Sequence, residues 1–263
     1  MKRVILTAVV CAFLAAPALA DFYGGRMDWT RVSNHYQGNG GEFTLYGYGD
    51  FPYLSNEHYA EAARNQRGTN DTTSFQTFCI EMHEYLQHPM DIWVSTTDMH
   101  GTPGGTHANE GGGSFNDGET WTWGDDLEPT TAYLYSQFAT GRLSGYNWSG
   151  TGRAASGGTL QKVIWLLEGE IGTLGDSSGG LTLTTAQQTQ GKAWITEVQE
   201  ALRKGWTNDG DVFVLNTYGV GLDNVGGCKV YAQDQLYYVP VPAAGLLAFL
   251  GLTAAGLKLR QFA

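Results

Sequence analysis

Residues 74–86, SFQTFCIEMHEYL, alternate in the way a half-buried strand does. Phe75, Thr77, Cys79 and Glu81 fall on one face, and Gln76, Phe78, Ile80 and Met82 on the other. Upstream, residues 42–48 (EFTLYGY) show the same alternation, and residues 91–96 (DIWVST) supply a partner strand. Downstream the period changes. Pro129 to Thr140 reads as a helix with proline in its first turn and Gly141 after its end. Gly158 to Ile171 carries Leu160, Ile164, Leu167 and Ile171 at three-to-four spacing. Thr184 to Lys204 has a threonine cap and an apolar face of Ala193, Ile195, Val198 and Leu202. Strands return at 211–217 (DVFVLNT) and 229–239 (KVYAQDQLYYV). Strands, then helices, then strands predict an α+β fold, a β-rich domain with an inserted helical subdomain of about three helices.

The two ends read differently from the middle. Lys2 and Arg3 precede an apolar stretch from Val4 to Ala16, and Ala18-Leu19-Ala20 stands before Asp21. That is the pattern of a secretory signal helix over residues 1–20. At the other end, Val239 to Leu257 is free of charge and long enough to span a bilayer as a helix, with Lys258 and Arg260 as a basic stop. The expected organisation is a signal peptide (1–20), an extracellular domain (21–238) and a transmembrane tail (239–263). The chain is thus expected to be exported and displayed at the cell surface.

All 26 acidic residues lie between these ends, while four of the 15 basic ones, Lys2, Arg3, Lys258 and Arg260, do not, which leaves the middle at a net charge of −15. Such a surface repels phosphate backbones and argues against nucleic acid as a partner. Aromatic residues make up 13% of the chain and glycine numbers 37, a composition that suits an extracellular β-rich architecture. The runs 101–113 and 172–180 are glycine-rich loops.

No hydrolase signature appears: there is no G-x-S-x-G element, and Glu81 and Glu84 form no recognisable acid–base pair. His83, His88, His100 and His107 cluster in sequence but fit no zinc spacing. The acidic stretch from Asp117 to Glu128 lacks an EF-hand pattern. Neither a metal nor a cofactor is expected. The interspersed Trp and Tyr residues fit either an ordinary β-core or a glycan-stacking platform.

Cys79 and Cys228 are the cysteines outside the signal segment, and in an exported chain a Cys79–Cys228 disulfide is one reading of the pair. A second reading involves Gln161, which borders the apolar face of its helix. Phe78-Cys79-Ile80 and Gln161-x-Val163-Ile164-Trp165 resemble the two motifs of bacterial thioester-domain adhesins, an aromatic-Cys-hydrophobic strand and a Q-x-A-(I/V)-W helix. Val163 stands in place of the family's Ala. The resemblance implies an internal thioester between Cys79 and Gln161, shielded by Phe78 and Trp165. It would serve single-use covalent capture of an amine on a matrix or surface target rather than turnover. The tail resembles PEP-CTERM sorting signals of the V-P-x-P-A type, through Val239, Pro240, Val241, Pro242 and Ala243. That implies an exosortase as processing partner. With the disulfide reading, the expectation is instead a non-catalytic envelope protein associated with exopolysaccharide.

Overall fold

The computed structural model describes residues 22–47, 58–64, 74–82, 85–95, 97–98, 113–114, 120–121, 125–219 and 230–239. The strands are β1 (Phe22–Thr30), β2 (Tyr36–Gln37), β3 (Gly40–Gly41), β4 (Phe43–Gly47), β5 (Phe75–Thr77), β6 (Met90–Ser95), β7 (Thr97–Asp98), β8 (Gly113–Ser114), β9 (Thr120–Trp121), β10 (Asp125–Asp126), β11 (Val212–Gly219) and β12 (Val230–Tyr238). The helices are α1 (Pro129–Ala139), α2 (Gly150–Leu167) and α3 (Thr185–Arg203). Six strands form one antiparallel sheet in the order β12-β11-β6-β1-β4-β5. The remaining strands pair as three two-stranded ribbons, β2–β3, β7–β10 and β8–β9.

The sheet nearly closes on itself. After β5 the chain leaves β4 and reaches β12, where Cys79 bridges Gln235. The Leu236 N–H donates to the Phe78 carbonyl (3.2 Å) and the Ile80 N–H to the Asp234 carbonyl (3.1 Å). Thr77 Oγ1 adds a 2.6 Å bond to the Leu236 carbonyl. Both outer strands thereby find a partner at the seam instead of ending in open edges. The predicted strand 74–86 is shorter than its pattern suggested. Regular pairing stops at Thr77, because the chain must there change partners from β4 to β12.

Helices and sheet share one hydrophobic cluster, in which Leu45, Phe75, Ile92 and Val214 meet Phe138, Ile164 and Trp194. The helical insertion expected between strands is present, but it does not carry a core of its own. Helix α1 begins with Pro129 at its first turn, and α3 is closed by a capping box between Thr184 and Gln187. Helix α2 starts at Gly150, eight residues before the sequence expectation, and ends at Leu167 rather than Ile171. Its stretch 157–165 is buried on every side, so the apolar spacing marked only part of the packed surface. The expected signal helix and transmembrane helix fall outside the described residues. Among those residues no helix is long and apolar enough to cross a membrane.

A buried ion pair ties α2 to the sheet. Arg153 donates through Nε (2.7 Å) and Nη2 (2.6 Å) to the two carboxylate oxygens of Glu42, which is wholly buried between β3 and β4. Tyr146 donates a third bond to Glu42 (2.6 Å), and Arg153 Nη2 also reaches the Ala62 carbonyl (2.6 Å). Burial pushes the Glu42 carboxyl above its usual range, against the opposing pull of Arg153 and Tyr146. Breaking one member strands the other charge, so Glu42→Ala should cost about 3–5 kcal/mol of unfolding free energy. The double replacement Glu42→Leu with Arg153→Met should recover most of that loss in urea titrations. A double variant as unstable as the single one would show that packing, not the ion pair, sets the cost.

Candidate functional site

Cys79 and Gln161, 82 residues apart, meet at the seam. Cys79 faces Gln235 as a non-hydrogen-bonded pair of the antiparallel ladder: the bonds to β12 come from its neighbours, and its own N–H and C=O point away. Among the described residues no strand pairs with residue 79 on that side. The Gln161 carboxamide takes that place. The Cys79 N–H donates to Gln161 Oε1 (3.1 Å), and Gln161 Nε2 donates to the Cys79 carbonyl (2.6 Å). On the thiol, Gln235 Nε2 donates to Cys79 Sγ (3.2 Å). Both Cys79 and Gln161 are buried.

Two close approaches bring the carboxamide there. The β2–β3 hairpin lies across α2, and the His35 carbonyl sits where a Cβ on Gly157 would be (2.6 Å). Any side chain at 157 would lift the hairpin from the helix. One turn further on, Gly40 rests against the Gln161 stem, where a Cβ would stand 2.9 Å from Cγ. The hairpin is held in turn from outside the helix. Arg31 donates to the Gly38 (3.2 Å) and Gly40 (2.8 Å) carbonyls, and the Asn39 N–H donates to Gly179 (3.2 Å). The Arg31 guanidinium is stacked 3.7 Å from the Tyr36 ring centroid and 4.7 Å from that of Phe43. Burial lowers its pKa, opposed by the negative charge available to Cys79 and Tyr36.

A cavity of about 320 Å³ is lined by Trp29, Arg31, Phe43, Tyr85, Trp165 and Gln233 among others, with neither Cys79 nor Gln161 on its lining. A bulge in β12 feeds it. The pairing of β11 with β12 slips between Leu215 and Thr217, and Gln233 in the bulged stretch donates to the Glu81 carbonyl (2.7 Å). Trp165 closes against Gly179, with its indole N–H buried and no hydrogen-bond partner found for it.

The two residues singled out from sequence are therefore neighbours. Their expected shields differ in position. Phe78 belongs to the main core, edge-on to Phe138 at 4.9 Å between centroids, while Trp165 lines the cavity. Cys228 and residues 240–243 of the sorting motif lie outside the described residues, as do His83, His100 and His107. His88 stacks on Trp29 (4.5 Å) and bonds the Asp28 carboxylate. Among the described residues no three His, Cys, Asp or Glu side chains gather as a metal site would require. Sequence reasoning missed Arg31, Glu42, Arg153, Gln233 and Gln235. The separations of these residues follow no local motif; the one usable signal was charge placed within apolar runs, at Glu42 before FTLY and Arg153 within a helix. Comparison with known proteins returns no match: no family model, curated protein or solved structure is significantly similar to the chain.

Two outcomes are expected from this geometry. Gln161→Met keeps the volume but leaves the N–H and C=O of residue 79 without partners, at a cost of about 1–3 kcal/mol for each orphaned group. Urea midpoints should fall accordingly, while the exposed-face change Thr196→Ala should leave them unmoved. The second concerns His35, whose pKa is lowered from 6.5 to about 4, first by burial and then by the Arg153 charge. Between pH 6.5 and 4 the unfolded chain binds this proton and the folded one does not, so stability falls as the solution is acidified through that window. His35→Gln should flatten that part of the stability–pH curve and leave stability above pH 7 independent of pH from this source.

Proposed function

We propose that the chain is an exported surface protein whose domain condenses Cys79 with Gln161 into an internal thioester and spends it once, on a nucleophile of a matrix or surface target. The observation that supports this reading most is the seating of the Gln161 carboxamide on residue 79 itself. The thiol and the amide carbon are held on one strand residue and one packed helix, which favours reaction by orientation. In the condensation, Cys79 Sγ attacks Gln161 Cδ, the C–S bond forms and the C–N bond breaks. The amide nitrogen leaves as ammonia, carrying the thiol proton. The Cys79 N–H already donates to Oε1, so a donor stands ready for the negative charge that develops on that oxygen.

In the capture step an amine attacks Cδ, the C–S bond breaks, and the thiolate takes the proton the amine loses. An amide to the target and a thiol on Cys79 result, and no catalyst is regenerated. Burial of both groups keeps bulk water from the acyl carbon before a target arrives. The signal-like start, the V-P-x-P-A motif at Val239–Ala243 and the charge-free tail support export, exosortase sorting and display on the surface as parts of the same reading.

Intact mass of the full chain, purified without reductant, tests the proposal. The expected result is a mass lower by one ammonia. Methylamine should then add in a single equivalent, and Cys79→Ala should abolish both changes without unfolding the domain. A mass lower by two hydrogens, with no methylamine uptake, would replace the thioester with a Cys79–Cys228 disulfide, and an unaltered mass would dismiss both bonds.

A further inference from the structure

The cavity lined by Trp29, Arg31 and Trp165 combines aromatic walls with one cation. Its volume of about 320 Å³ lies at the small end of the range for small-molecule sites, roughly 300–1,000 Å³, so it admits a compact cyclic group and not a protein loop. Its walls carry aromatic faces from Trp29, Phe43 and Trp165. Tyr85 lines it and is 76% exposed, and Tyr36, 38% exposed, stacks on the Arg31 guanidinium without itself lining the cavity. Flat rings of this kind, one face wet, favour partners with an apolar face and a polar edge.

Between the rings stands one positive charge. Arg31 is fixed by two backbone carbonyls and two rings, and no carboxylate among the described residues pairs with it. The nearby Glu170 carboxylate is engaged by the Met82 N–H (3.3 Å). A fixed cation disfavours a lysine ammonium at this mouth and favours a carboxylate. Amide groups of Asn39 and Gln233 on the same lining suit hydroxyl groups. Carboxylates do lie close to this lining, Glu170 against the Met82 N–H and Asp28 against the Trp29 N–H (2.8 Å), but Arg31 is the cation on the lining itself.

We infer that this cavity docks a carboxylated sugar unit of an acidic polysaccharide, stacked on Tyr85 and the indoles with its carboxylate toward Arg31. The small aromatic-walled volume, the exposed Tyr85 and the Arg31 cation on the lining are the observations that select this ligand class over a basic peptide. Docking is independent of the thioester.

Titration calorimetry of the full chain at 0.15 M salt, with oligogalacturonate as probe, tests the inference. A neutral malto-oligosaccharide of equal length and polyglutamate serve as comparisons. Oligogalacturonate should bind measurably and more tightly than either comparison. Tyr85→Ala, at an exposed position, should weaken it by up to about tenfold. Arg31→Gln should bring the acidic and neutral sugars to equal affinity. Cys79→Ala should bind oligogalacturonate as the parent does while failing to take up methylamine, which separates failure of docking from failure of capture. Absence of sugar binding, equal binding of the neutral sugar by the parent chain, or polyglutamate binding as tight as the uronate would each overturn the inference.

Discussion

A strand that changes partners leaves its own peptide groups exposed, and the architecture turns on how this is resolved at residue 79. The segment 78–80 joins β5 to β12 and brings the sheet nearly to closure, but the N–H and C=O of Cys79 face away from β12. Inside a protein such groups cost too much to leave bare. The chain satisfies both with one carboxamide from the middle of α2. That requirement fixes the position of the helix along its axis and the approach of the β2–β3 hairpin. It also explains why a glutamine sits in a stretch buried on all sides. The interaction that completes the backbone bonding also brings the Gln161 carboxamide onto the backbone of a cysteine.

The groups that close the seam are also those of the proposed thioester. A carboxamide that only satisfied the seam could be replaced by any group offering one acceptor and one donor. What sets this arrangement apart is its surroundings: Gln235 on the sulfur, Arg31 bracing the hairpin, and an aromatic-walled cavity that Arg31 and Gln233 help to line. The Glu42–Arg153 pair and the Arg31 contacts hold the hairpin from opposite sides, one in the core and one near solvent. Rigid support of this kind is what a short-lived covalent reaction would require of its scaffold.

The α+β class, the three helices and most long strands were legible in the sequence because their patterns are local. Proline at 129, the Thr184 cap and the alternation in 42–48 and 211–217 depend on neighbours a few residues away. Strand β1 was not read, since Gly24 and Gly25 interrupt its pattern and its burial comes from β4 and β6 on either side. The early start of α2 was hidden by Gly157 and Gly158, which weaken a helix in isolation and are wanted here for the hairpin's approach. Within the site, Cys79 and Gln161 were recognised by motif, whereas Arg31, Gln233 and Gln235 act through distances only a folded chain defines. The seam itself had no sequence signal, because a change of strand partner leaves the apolar alternation intact.

The placement of the terminal strands has a kinetic consequence. β1 lies inside the sheet, and β12, the last strand, is the one that meets residues 78–80, so the seam joins side chains 156 positions apart. Nothing can seal it until residue 238 has been synthesised. Contacts of such long range make folding slow, so the sheet is completed only after β12 has emerged. Were the chain exported as proposed, that late closure would ease its passage through a translocation pore.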